Sequence, residues 1–329
     1  MKRMIAVVIA VALGMAVFVT PALSWEKGTH LYFADKLKRQ GGGNPMNFDE
    51  MYGAMAPDIF NYAFELPTDL YAYLHDQTHN YYYNVWKAVK WGYEKPLAFG
   101  FVSHNDKWGA DSTAHHNSRT LDPGEGYIIT KAGMLSLALA PYWAAIETAL
   151  GGTLDDAIKI ELCHNIVEAA GDVVLKRSYP QLGKNLVAAG SRSDKRFKNL
   201  FLKAYLPGLA ALMGDEDAAR TLLLNGESAF RTGQVVLYGM LLQQDETTVL
   251  DGITAQFNAL VGAYLGSKGI PEPGSGWPDL TPVIQAALGG AIALIENDYM
   301  LEVDATLNYL RAEMKRRKFW GATKKGDIL

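Results

Sequence analysis

Wherever a period can be read between Gly28 and Lys318, apolar residues recur at helical spacing, and no stretch alternates apolar and polar residues between hairpin turns. A chain patterned this way buries its apolar surface by laying helix on helix. The spacing predicts an all-α fold, a multi-helix bundle, with helices over roughly 28–39, 68–91, 95–117, 129–149, 154–176, 182–190, 195–214, 216–225, 228–243, 246–266, 280–297 and 299–318. Gly41-Gly42-Gly43-Asn44-Pro45, Leu121-Asp122-Pro123-Gly124 and Gly151-Gly152 punctuate the pattern, and Ser267–Pro278, rich in proline and glycine, is the best internal linker. The expected organisation is a leader over 1–24, a core over 25–178, a helical continuation over 179–266, the linker over 267–279 and terminal helices with a solvated tail over 280–329.

Composition narrows the function. The 329 residues are 49% hydrophobic and 20% charged with a formal charge of −4, so the chain is globular and carries no basic footprint for duplex nucleic acid. A mean hydropathy of −0.03 excludes a polytopic membrane protein. One cysteine, Cys163, leaves no intramolecular disulfide and no thiolate cage, so any metal is held by imidazole and carboxylate. Cys163 itself reads as a small buried residue.

The N-terminus reads as an export signal. Met1-Lys2-Arg3 is a cationic start, Met4–Val19 is an uncharged apolar run too short to span a bilayer, and Ala22-Leu23-Ser24 is a small-x-small cleavage site. Cleavage before Trp25 would make the mature chain more acidic by the loss of Lys2 and Arg3. It would also free an α-amino group near His30, and an amine with its neighbouring carbonyl oxygen can chelate a metal.

The histidines carry the functional argument. His30, His75, His79, His104, His115, His116 and His164 are all seven of the chain's histidines, and none occurs after residue 164. Imidazole is the commonest protein ligand of borderline metals such as zinc. On a continuous helix over 95–117, His104, Asp111 and His115 share one face within roughly 20° at about 100° per residue. On the helix over 154–176, His164 and Glu168 are adjacent at i and i+4, and Asp172 continues the row. Two helices presenting such rows to a common interior is how bundles build multinuclear sites.

Trp25-Glu26-Lys27-Gly28-Thr29-His30, Ala56-Pro57-Asp58, Thr78-His79, Ser103-His104, Ala110-Asp111, Ala114-His115-His116 and His164-x3-Glu168 together resemble, in chain order, the zinc-dependent phospholipase C family and its relatives, the fungal single-strand-specific zinc nucleases. The resemblance covers Trp25 to about Val174. It implies an all-α fold and three zinc ions: one on Trp25, His30 and Asp111, a second sharing Asp111 and taking Asp58, His79 and His104, and a third on His115 or His116 with His164 and Glu168. It also implies hydrolysis of a phosphate ester by a zinc-activated water, with Asp58 orienting or deprotonating that water. The chain departs from the family's His-x3-Asp at His104 and Asp111, which are seven apart, with Asp106 as an alternative acid; His75 is likewise an alternative to His79.

The expected protein is therefore an exported zinc phosphodiesterase acting on a phospholipid or another phosphate ester, compatible with peripheral membrane contact. Two alternatives stay open: a zinc-dependent single-strand nuclease or nucleotidase, and a non-catalytic binding domain stabilised by metal. Tyr81-Tyr82-Tyr83 and Trp86 read as core packing or a cleft rim, and Lys315-Arg316-Arg317-Lys318 as a solvated helix end.

Overall fold

The structure, a computed structural model, describes residues 26–37, 48–61, 63, 66–192, 194–274 and 276–319. Trp25, the expected leader over 1–24 and the expected solvated tail over Gly321–Leu329 lie outside the described residues. The fold is all-α: among the described residues there is no strand. In chain order the elements are α1 (Lys27–Leu37), α2 (Phe48–Met55), a 3-10 turn (Ala56–Phe60), α3 (Thr68–His79), α4 (Tyr83–Ala88), a second 3-10 turn (Gly92–Glu94), α5 (Lys95–His104) and α6 (Ala110–His115). They continue with α7 (Tyr127–Ala138), α8 (Ala140–Leu150), α9 (Asp156–Ser178), α10 (Leu182–Arg192), α11 (Asp194–Met213) and α12 (Glu216–Ala229). A π-helical stretch (Phe230–Leu237) leads into α13 (Tyr238–Leu241), and α14 (Glu246–Ser267), α15 (Thr281–Ile295) and α16 (Tyr299–Arg316) complete the chain.

Three expected helices are broken, each for a local reason. The single helix over 95–117 is two, because the Asn105 side chain accepts the N–H groups of Lys107 and Trp108 (3.0 and 3.1 Å) and turns the chain out of the helix. The helix over 68–91 stops at His79, where the Asp76 carbonyl takes the N–H of both Asn80 and Tyr81. The helix over 129–149 bends by 77° between α7 and α8, with Pro141 in the first turn of α8. The expected helix over 228–243 is π-helical for its first half. Helix α2 and the 3-10 turn after it, which follow a Gly-Asn-Pro stretch, carry no expectation from the sequence.

Helix α9 is the axis of the molecule. Every residue from Cys163 to Leu175 is buried, which requires cover on all sides, supplied by α1, α7, α15 and α16 among others. The helices after the Pro/Gly linker thus lie back on the N-terminal half. Helix α16 also anchors the loop after α6: the fully buried Glu302 carboxylate accepts from Ser118 Oγ, Arg119 N and Thr120 Oγ1 (2.9, 2.8 and 2.6 Å). Among the described residues no single helix is long and apolar enough to cross a membrane.

Helices α2 and α5 cross with their backbones in contact. A Cβ on Gly100 would stand 2.0 Å from the Glu50 carbonyl oxygen, and one on Gly53 would stand 2.1 Å from that of Leu97. Only glycine at both positions lets the two helices approach this closely. Alanine ordinarily stabilises a helix interior over glycine by about 0.5–1 kcal/mol. Gly100→Ala is expected to do the opposite, lowering unfolding free energy by about 1–3 kcal/mol because neither neighbour is a movable side chain. Gly133→Ala in α7, where a Cβ meets nothing within 4 Å, should give the ordinary stabilisation. Denaturant titration of the two variants checks the sign of each.

Candidate metal centre

Six elements bring their ligating groups to one interior site. His30 comes from α1, Asp58 from the first 3-10 turn, and His79, His104 and His115 are the last residues of α3, α5 and α6. The carbonyl ends of these helices favour positive charge where the imidazoles gather. Asp111 lies in the first turn of α6, and His164 and Glu168 come from α9.

The break between α5 and α6 does what a continuous helix could not. His104 and Asp111, which seven helical residues would hold roughly 10 Å apart along the axis, meet at 3.0 Å (Nε2 to Oδ2). The Asp111 carboxylate faces two sets of imidazoles: Oδ1 lies 3.3 Å from His30 Nε2, and Oδ2 lies 3.5 Å from His79 Nε2 besides its approach to His104. Asp58 Oδ1 lies 3.3 Å from His79 Nε2 and 3.4 Å from His104 Nε2. The His30 and His104 rings stack at 3.9 Å. These five side chains are buried.

Beside them stands a second group. His164 Nε2 is 2.9 Å from Glu168 Oε1, and the His115 ring lies edge-on to that of His164 at 5.2 Å. His115, His164 and Glu168 can present one atom each to a common ion. His116 turns away: its side chain is 57% exposed and pairs with Asp106. Asp106 does not join His104. It lies 3.3 Å from His115 Nδ1, which leaves His115 Nε2 for the second group. The arrangement is the carboxylate–histidine–metal pattern in which an outer carboxylate orients a ligating ring.

The same orientation operates in the first group. His104 Nδ1 donates to the Ala54 carbonyl (2.8 Å) and His79 Nδ1 to that of His75 (3.0 Å), so Nε2 of each ring is the nitrogen aimed at carboxylate oxygens. His75 is half-buried behind His79, with the rings stacked at 4.1 Å, and contributes its backbone rather than its ring. Asn61 Nδ2 fixes Asp58 through a 2.7 Å bond to Oδ1. Asp172, one turn beyond Glu168, faces α1 instead: it accepts from Gly28 N and Thr29 Oγ1 (2.7 and 2.9 Å) and so sets where His30 stands. Asn61, Ala54 and the role of Asp172 were not legible in the sequence; a backbone carbonyl has no sequence signal, and only the Asp58-x2-Asn61 spacing could have pointed to Asn61.

Carboxylate oxygens and ring nitrogens crowd together throughout this site. Both oxygens of Asp111 and of Glu168, with His104 Nε2, His115 Nε2 and His164 Nε2, are buried and make no well-formed hydrogen bond. Protonation is correspondingly displaced. Burial works to lower the His104 pKa, but Asp111 and Asp58 outweigh it and hold it well above the ordinary value. Burial would raise Asp58 and Asp111, and His104 outweighs it, holding both below the usual carboxylate range. Burial, then His104, pushes His30 down to about 4. Glu168 is driven well above its ordinary value by burial and by Glu26, Asp58 and Asp111. A site that gathers carboxylates and inward-aimed ring nitrogens around common points fits divalent cations, which satisfy the orphaned atoms together. Buried His/Asp groups that could hold metal are thus a property of this fold.

Asp106→Asn is expected to weaken metal binding at the His115, His164 and Glu168 group by about 10–100-fold while sparing the His30, Asp58, His79, His104 and Asp111 group. Calorimetric metal titration of the full chain would resolve the two classes, and a uniform loss would remove the separate orienting role from Asp106. No family model, curated protein or solved structure matches this chain.

Proposed function

We propose that the chain is an exported, zinc-dependent phosphodiesterase of the phospholipase C type. The observation that carries the reading is the disposition of Asp111, whose two oxygens address His30 on one side and His79 with His104 on the other. A carboxylate so placed is suited to bridge two cations, the arrangement used to clamp a phosphoryl group in displacement at phosphorus. In this reading His30 and Asp111, with the amine and carbonyl of Trp25, hold one zinc; Asp111, Asp58, His79 and His104 a second; and His115, His164 and Glu168 a third. Bound there, zinc supplies Lewis acidity toward phosphoryl oxygens and brings the pKa of a water from 15.7 toward about 7.

The chain's own groups do the rest. Asp58, kept ionised below the usual carboxylate range, is a weak base and a strong hydrogen-bond acceptor, so it orients the attacking water more than it stores the proton. Ala54, His75 and Asp106 hold the rings of His104, His79 and His115 in the orientation that presents the inward nitrogen. Exposure rises from the buried first group toward His115, Asp106 and His116, so the ester approaches from that side. No nucleophilic side chain is needed, and Cys163, whose thiol burial pushes up to about 12, is not suited to be one.

One observation favours a second reading. His30, Asp58, His79, His104 and Asp111 are almost completely buried, as in a site closed by protein ligands and serving stability rather than turnover. Metal analysis of the processed protein beside a form carrying one extra residue ahead of Trp25, with each assayed on phospholipid and on nucleotide esters, separates the readings. The phosphodiesterase reading expects about three zinc ions per chain, fewer in the extended form, and hydrolysis of one ester class. Full zinc with no turnover of either class selects the stabilising role, and less than about one zinc in both forms removes the metal reading altogether.

A further inference from the structure

Helix α9 has a second face with its own chemistry. On a face turned roughly 100–160° from His164, Leu162, Asn165 and Ile166 line a cleft walled by α8, α14 and α15. Its walls are apolar over most of their extent, Trp143 and Ile146 facing Phe257 and Ile284. One part is polar. Asn165 is 6% exposed, its Nδ2 donates to the Glu161 carbonyl, and its Oδ1, buried at the cleft wall, makes no hydrogen bond. Glu161, also on the wall, is matched by Lys268 at 2.8 Å, so this part carries a buried acceptor and no net charge.

The approach to the cleft is apolar too. The bent corner between α7 and α8 contains no charged residue between Lys131 and Glu147. It exposes Met134, Leu137 and Tyr142 outward, Leu137 to 79%, while Leu139 and Trp143 of the same corner line the cleft. An exposed uncharged surface continuous with an apolar cleft marks contact with an apolar phase.

We propose that the cleft binds one hydrocarbon chain of a neutral amphiphile whose head carries a hydroxyl or amide N–H, taken from a lipid surface on which the α7–α8 corner rests. The chain lies along the Trp143, Ile146, Phe257 and Ile284 walls, and the head donates to Asn165 Oδ1. A carboxylate head offers that oxygen no proton, and the balanced Glu161–Lys268 pair leaves no charge for an ionic head to answer. The site stands apart from the metal centre and does not rest on the phosphodiesterase reading.

The test uses the full processed chain with 1-monolauroylglycerol and methyl laurate as probes, the second keeping an apolar chain but no donor, and Trp143 as the fluorescent reporter. The expected result is saturable binding of both, about tenfold weaker binding of the glycerol ester alone in Asn165→Leu, and loss of both in the cleft-filling variant Ala287→Phe. Leu137→Glu, at an exposed position, should leave binding of dispersed probe unchanged and abolish association with phosphatidylcholine vesicles. Failure of the wild-type chain to bind either probe overturns the proposal, as does equal weakening of both probes in Asn165→Leu. A corner that pairs with a second copy, seen as a dimer dissolved by Leu137→Glu with no vesicle association, overturns it as well. If Ala287→Phe does not fold, the comparison of the two probes in Asn165→Leu decides.

Discussion

Asp58, Asp111 and Glu168 are buried among the imidazoles of His30, His79, His104, His115 and His164, and the rest of the structure is arranged around the charge they concentrate. Bringing a carboxylate from water into a protein interior has an effective penalty of several kcal/mol even after relaxation, so three in one place are tolerable only with positive charge of matching geometry. Protons supply it poorly. A proton on His104 answers Asp58 and Asp111, held below the usual carboxylate range, but leaves Glu168, driven above it by burial, to be neutralised by a proton of its own. Divalent cations serve all three, and they ask for what the site has: ring nitrogens with fixed tautomers and carboxylates with both oxygens in reach.

Holding that geometry falls to contacts outside the cluster. The glycine crossing of α2 and α5 brings the Ala54 carbonyl to His104 Nδ1. Asp172 ties the first turn of α1 to α9 and so joins the start of α1 to the helix carrying His164 and Glu168. Thr29 Oγ1 also meets Tyr299 Oη at 2.7 Å, which brings α16 into the same knot. The histidine-free second half of the chain is therefore part of the site's scaffold even though it gives the site no ligand. Its Glu302 secures the loop that leaves α6 just after His115 and His116.

How much of this the sequence revealed depends on how far each relation runs along the chain. The all-α class is local, since every element declares its own period. The adjacency of His164 and Glu168 is local too, four residues on one unbroken helix. His104 and Asp111 are instructive because the reasoning from one helical face led to two residues that do meet, but by a different route. The turn at Asn105–Gly109 folds them together, and its signals, an asparagine and a glycine bracketing the break, were present in the sequence yet weaker than the apolar run around them. Asp106, weighed as a substitute for Asp111, orients His115 instead because the turn faces it the other way. The part of the site that was invisible is the part made of backbone: every residue has a carbonyl, and only packing decides that those of Ala54 and His75 are used.

Helix α9 brings these strands together. It carries two residues of the candidate metal centre, the carboxylate that anchors α1, and the wall of an apolar cleft, all within a segment whose middle is wholly buried. A helix enclosed on every side cannot turn about its axis without breaking contacts on each face, because close-packed interiors transmit displacement instead of absorbing it. A rotation of one residue, about 100°, would take His164 from the cluster and place Cys163 or Asn165 there. Packing alone therefore fixes the angle between the two faces, with His164 and Glu168 turned to the cluster and Asn165 to the cleft wall.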